Sequence, residues 1–121
     1  MSQAPLPSEI QLHKQSRKLE LVYDDKHYFL SAEFLRVHSP SAEVKGHGSG
    51  QEVLQIQKEN VGINNIEPVG HYAIKIYFDD GHDSGLFSWD YLYNLCINRD
   101  NYWQKYLGKL MAEGYERQRD A

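Results

Sequence analysis

The residues of this chain that could do chemistry are few and widely spaced. They are six histidines (13, 27, 38, 47, 71 and 82), one cysteine (Cys96), and the acids Asp79, Asp80 and Asp83. An iron(II) oxygenase centre needs two histidines and a carboxylate on one face of the metal. Its strand form is His-x-Asp or His-x-Glu, and no histidine here is followed by an acid two residues on. His82 and Asp83 are adjacent, so along an extended strand they point to opposite faces. Zinc is a closer candidate, because His38, His47 and His82 could converge near the three aspartates. Yet structural zinc sites show closely paired ligands, and none occur. Cys96 would need a base or a positive field to act as a nucleophile. It falls on the apolar face of a helix beginning at Trp89, so an inert core thiol is expected. His82 with Asp80 or Asp83 could form an acid/base pair, but no nucleophile or substrate-cradling motif accompanies it. The run Gly46-His47-Gly48-Ser49-Gly50 lacks the third glycine and the leading strand of a dinucleotide fingerprint. The expectation is a protein that is not an enzyme and carries no cofactor.

The bulk properties narrow the partners. A chain of 121 residues fits one domain, and 40 % hydrophobic with 25 % charged residues is the balance of a globular protein. The formal net charge of −4 has the wrong sign for a nucleic-acid footprint. The one basic cluster, Lys14, Arg17 and Lys18, is followed by Asp24-Asp25. A lone cysteine forms no internal disulfide. No apolar h-region opens the chain and no apolar run has membrane-spanning length, so a cytoplasmic protein without membrane contact is expected.

The elements that must position these residues can be read from periodicity. Residues 1–8 read as a loose tail. Alternation at Ile10/Leu12 and Leu19/Leu21/Tyr23 predicts a half-buried strand pair, and strand resumes at 27–30 after an Asp24-Asp25-Lys26 turn. Ser31 can cap a short helix holding Phe34 and Leu35. Ser39-Pro40 predicts a second helix start, with Ser39 as its cap. The Gly46–Gly50 stretch is a loop. Leu54/Ile56 and Val61/Ile63 are short alternating pieces. The strongest strand places Tyr72, Ile74, Ile76 and Phe78 on one face. Asp80-Gly81 then predicts a two-residue hairpin with both φ positive and a return strand over 82–87. Ser88 can cap the helix from Trp89. A last helix is expected from about Asp100 to the region of Arg117, with Trp103, Tyr106, Leu107, Leu110 and Met111 as its apolar stripe. That stripe either docks on the sheet or faces a partner or a second copy. The fold class is α+β: a small, mostly antiparallel sheet with short helices and a C-terminal helix, divided as 9–98 and 99–121.

Four stretches in order resemble the gamma-butyrobetaine hydroxylase-like N-terminal domain family. They are residues 34–42 (Phe34-Leu35-Arg36 to Ser41-Ala42), 44–48, 66–73 and 78–85 (with Asp80-Gly81-His82), followed by Trp89 and Leu92. The resemblance covers roughly residues 15–97. It implies a small mixed α/β module that, in the hydroxylases, precedes the catalytic domain, holds zinc and helps form a dimer. Stand-alone bacterial relatives, and relatives following iron–sulfur scaffold proteins, are also implied. In the hydroxylases a Leu-Arg-x-x-Cys-x-Cys-x-x-Cys run and a later histidine supply the zinc ligands. On this chain the cysteine positions fall on Ser39, Ser41 and Val44, and only His82 matches. The resemblance thus implies an accessory domain with its zinc site lost. Ser39–Pro40 would open a helix, and His82 would hydrogen-bond back to the Ser39–Ser41 turn. The expected role is a non-catalytic binding module acting near Arg36, His38, the Gly46–Gly50 loop and His82, or along the last helix. Its partner would be an unidentified protein or a second copy. The alternative is an accessory factor in iron–sulfur cluster or metal handling, in which a cluster would have to bridge two chains because one cysteine cannot hold it.

Overall fold

A computed structural model of the chain describes residues 5–45 and 53–117. It has two three-stranded antiparallel sheets rather than one. The first is a meander of β1 (Glu9–His13), β2 (Lys18–Tyr23) and β3 (Lys26–Ser31). Leu21 pairs with Ile10 on one side and Tyr28 on the other. Period-2 alternation therefore turns Leu19, Leu21 and Tyr23 of β2 and Leu30 of β3 into the core. Asp24 takes a φ of 55° in the β2–β3 turn, a conformation aspartate tolerates better than most residues. Ser8, expected in the loose tail, is tied to the sheet by its N–H to the Val22 carbonyl.

The Ser31 hydroxyl accepts from the Phe34 N–H at 3.0 Å and starts α1 (Ala32–Val37), as expected. Every residue of this six-residue helix is buried. A helix α2 (Ala42–Lys45) follows, but it opens after Ser41, whose carbonyl accepts from Val44 and Lys45. Ser39 is not its cap, because the Ser39 hydroxyl is engaged elsewhere. The Gly46–Gly50 loop and His47 lie outside the described residues. Leu54 and Ile56 do not form a strand. They pack instead beneath the last helix.

The second sheet has the order β4 (Ile63–Val69), β5 (Ala73–Phe78), β6 (Leu86–Ser88). Tyr72, expected on the inner face of β5, precedes that strand and is exposed, whereas Ala73 is buried. The hairpin after β5 is longer than two residues. Gly81 N–H donates to the Phe78 carbonyl and Phe78 N–H to the His82 carbonyl, and only Gly81 has a positive φ, 88°. This is a three-residue loop ending in a left-handed glycine. The return strand forms only at Leu86–Ser88.

Ser88 caps α3 (Trp89–Ile97) through the Tyr91 N–H at 3.1 Å. Asn98 then leads directly into α4 (Arg99–Ala112). This last helix stops short of Arg117. Gly114 adopts a φ of 79°, its N–H reaching the Met111 carbonyl and that of Tyr115 the Leu110 carbonyl. This pair of bonds satisfies carbonyls that the helix end would leave open. Two apolar clusters result. The larger lies among the two sheets, α1 and α3. The smaller joins Val37 to Tyr106 and Leu110, flanked by Leu54, Ile56, Trp103 and Leu107. Of the expected stripe only Met111, 79 % exposed, is left outside. Among the described residues no helix is long and apolar enough to cross a membrane.

Candidate functional site

Arg36 lies in the last turn of a wholly buried helix, and its charge must be answered there. Its Nε donates to Asp80 Oδ2 at 2.9 Å and its Nη1 to Gln55 Oε1 at 3.1 Å. Lys58 Nζ donates to the same Asp80 oxygen at 2.9 Å, and the His82 N–H reaches Asp80 Oδ1 at 3.2 Å. Burial would raise the Asp80 carboxyl, but the donors Lys58, Arg36 and His82 outweigh it and hold it at about 2. Fixing this carboxylate inward leaves the left-handed step of the turn to Gly81.

His82 follows on the hairpin exit and is buried. Its Nε2 is 2.8 Å from Ser39 Oγ and 3.3 Å from Ser41 Oγ, the contact expected from the sequence. The fit is close. A Cβ on Gly85 would stand 2.1 Å from Ser39 Oγ and 3.1 Å from Pro40 Cδ. A hydroxyl beside an imidazole is a nucleophile pairing in principle. Ser39, however, has no solvent exposure. The arrangement fastens the end of α1, the Ser39–Ser41 turn and the β5–β6 hairpin to one another.

His38 stands apart from this cluster. It terminates α1, its Nδ1–H donating to the Phe34 carbonyl at 2.8 Å while its ring stacks on Tyr102. Tyr91 O–H donates to the His38 carbonyl at 2.5 Å. Burial pushes the His38 imidazole below its ordinary value. Of the three expected binding residues, then, the buried Arg36 and His82 meet through the partly exposed Asp80, and His38 packs among aromatic rings. Cys96 is a buried thiol that burial pushes up to about 12, as its helix face suggested. No group of three His, Cys, Asp or Glu residues is placed to hold a metal ion among the described residues.

Two arrangements escaped the sequence reading. Glu20 on β2 accepts from His13 Nε2 on β1 at 2.8 Å and from His27 Nδ1 on β3 at 2.5 Å. The hydrogen bonds from His27 and His13 hold Glu20 below the usual carboxylate range. The spacing of seven on either side of Glu20 was a legible signal, since strand registers of this kind set such residues diagonally on one sheet face. The other is Glu33 of α1, which receives Arg117 Nε at 2.9 Å and Nη2 at 2.5 Å across 84 residues of sequence. Arg117 also lies over the Trp103 ring. Nothing in the spacing announced this pair.

The fold and this interior define a small α+β module organised around one buried helix. Residues 10–93 match the model of the family described as gamma-butyrobetaine hydroxylase-like, N-terminal, and the chain belongs to that family. The similar solved structures include the following three. One solution structure is 56 % identical with a TM-score of 0.84, covering 97 % of this chain and 93 % of the other. A second is 47 % identical with a TM-score of 0.82, covering 100 % and 91 %. A protein of unknown function of the DUF971 family from Acidithiobacillus ferrooxidans is 37 % identical with a TM-score of 0.58, covering 74 % of this chain and 91 % of its own. A search of curated proteins finds no match.

Proposed function

We propose that the chain is a non-catalytic interaction module in which the zinc site implied by its resemblance to the hydroxylases has been replaced by a hydrogen-bonded core. The observation that carries the reading is the His82–Ser39–Ser41 contact. Where the resemblance implies a histidine and three thiolates, the histidine meets two neutral hydroxyls, and the third position is the buried Val44. Hydroxyls are poor zinc ligands and valine is none. The hydrogen bonds tie together the same segments that a metal would. Arg36 and His82 hold these segments together from inside, since both are interior side chains.

The metal-handling alternative finds less support. Cys96 is buried on the core side of α3, and one cysteine per chain cannot hold a cluster by itself. The net charge of −4 disfavours nucleic acid as the partner.

Native mass spectrometry of the untagged chain, with and without zinc and ferrous iron, tests the reading. The expected result is an unchanged, metal-free mass for the natural chain. A variant carrying S39C, S41C and V44C should gain one zinc. A stoichiometric metal on the natural chain would sink the proposal.

A further inference from the structure

The junction between α3 and α4 has no loop. Asn98 ends one helix and begins the next. One helical ladder stops at Asn98 and the next starts there: the Asn98 N–H donates to the Asn94 carbonyl at 3.1 Å, and the Tyr102 N–H to the Asn98 carbonyl at 2.9 Å. Asn98 alone departs from helical geometry, at φ −111° and ψ 15°. Ordinary helical values lie about 50° to 60° away in each angle. Its side chain gives α4 no cap, and turns back to the carbonyl and side-chain oxygens of Asn94. A change at one residue would therefore convert α3 and α4 into a single helix from Trp89 to Ala112.

α4 covers an apolar surface at the end of α1. That surface is Val37 with Leu54 and Ile56, and Trp103, Tyr106, Leu107 and Leu110 pack on it. The Tyr106 hydroxyl donates to the Gln55 carbonyl at 2.7 Å. At the far end Arg117 closes on Glu33. Tyr102 and Trp103 at the start of α4 also touch the main core, whereas Tyr106, Leu107 and Leu110 pack only in the smaller cluster, and α4 lies beyond the residues that match the family model.

We infer that α4 is an exchangeable arm: straightened at Asn98, it packs on the same α1 surface of a second copy of this chain, with the Glu33–Arg117 pair formed between chains. The argument for that occupant is that the surface is already complementary to this sequence. A second copy supplies the same stripe, the same tyrosine hydroxyl and the same guanidinium. Reciprocal exchange leaves neither surface bare and creates no new complementary one, the usual economy of a swapped dimer. A hinge of one residue favours it, because so short a connection is the kind that straightens rather than folds back.

A charge exchange tests it directly. E33R places like charges together with Arg117, and R117E does so with Glu33, so neither variant can latch within its own chain or in a dimer with itself. Mixed in equal amounts, a swapped heterodimer restores both pairs. Native mass spectrometry should show a heterodimer in the mixture and none in either variant alone. A mixture of two folded variants that stays monomeric overturns the inference. Because arginine at position 33 can prevent folding, N98A gives an independent reading. It favours the straight helix, and should raise the dimer fraction several-fold over the natural chain at equal concentration. Four Gly/Ser residues inserted after position 98 of that variant should return the dimer to monomer. An N98A chain no more dimeric than the natural one, or a dimer untouched by the insertion, also overturns it.

Discussion

The two flanks of α1 solve the same electrostatic problem with partners of different rank. On one flank Arg36, 7 % exposed in its side chain, meets Asp80 at 24 %. On the other Glu33, 4 % exposed, meets Arg117 at 25 %. In each pair the charge on the helix is the trapped one, and the outer partner can still reach water. Asp80 arrives on a hairpin inside the family domain and also holds Lys58 and the His82 N–H. Arg117 arrives from the segment beyond α4, outside the family match. The first flank is built into the fold, and the second is a clasp for an added helix. The lesson is that removing the outer partner should cost more than removing the inner one, since it strands a buried charge.

The largest effect should come from D80A, which strands Arg36 and frees the hairpin. A loss of about 3 kcal/mol is expected in urea unfolding, at the low end for a broken buried pair because Asp80 is partly wet. A loss under about 1 kcal/mol would mean that Gln55 and water suffice for Arg36. R117A comes next, at about 2 kcal/mol, since it leaves Glu33 buried without its guanidinium. Its signature should be local, with hydrogen exchange accelerating in α4 while β2 and β5 stay protected. Equal loosening of both sheets would erase the distinction between the flanks.

G85A probes the first flank by steric means. The added methyl forces Ser39 Oγ away from His82, at a cost of about 1 to 2 kcal/mol by overpacking. Thermal unfolding reads this directly, and an unchanged Tm would show the serine–histidine contact to be dispensable. The smallest effect is acid sensitivity. Asp80 is depressed from 3.8 to about 2, so its contribution is fully present above about pH 4 and is lost as pH falls toward 2. Urea midpoints between pH 5 and 2.5 should fall less steeply for D80N than for the natural chain. Parallel curves would remove Asp80 as the cause.

Much of the first flank was legible in the sequence. The caps Ser31 and Ser88, the meander, the β5 strand and the His82 contact with Ser39 and Ser41 all followed from local rules or the resemblance. What failed, failed where long-range contacts overrode local preference. Ser39-Pro40 has the composition of a helix start, but the Ser39 hydroxyl is worth more to buried His82 than to a helix end, so α2 opens later. Asp80-Gly81 suits a two-residue turn, yet Asp80 is held by Arg36 and Lys58, and the loop takes a third residue. The second flank was almost silent. Arg117 sits where helix was expected to continue, and only Gly114 hinted otherwise.

Period and composition by themselves determined the α+β class, the core faces of β2 and of β5 from Ile74 on, the inert thiol and the apolar stripe of the last helix. These depend on neighbours within a few residues, where spacing reports which side chains share a face. Tertiary structure alone decided that Arg36 and Glu33 would be interior charges and that α4 would lie back on α1. Such pairings join residues dozens of positions apart. Burial then makes each of them obligatory, because a charge removed from water must find a partner wherever in the chain one can be brought to it.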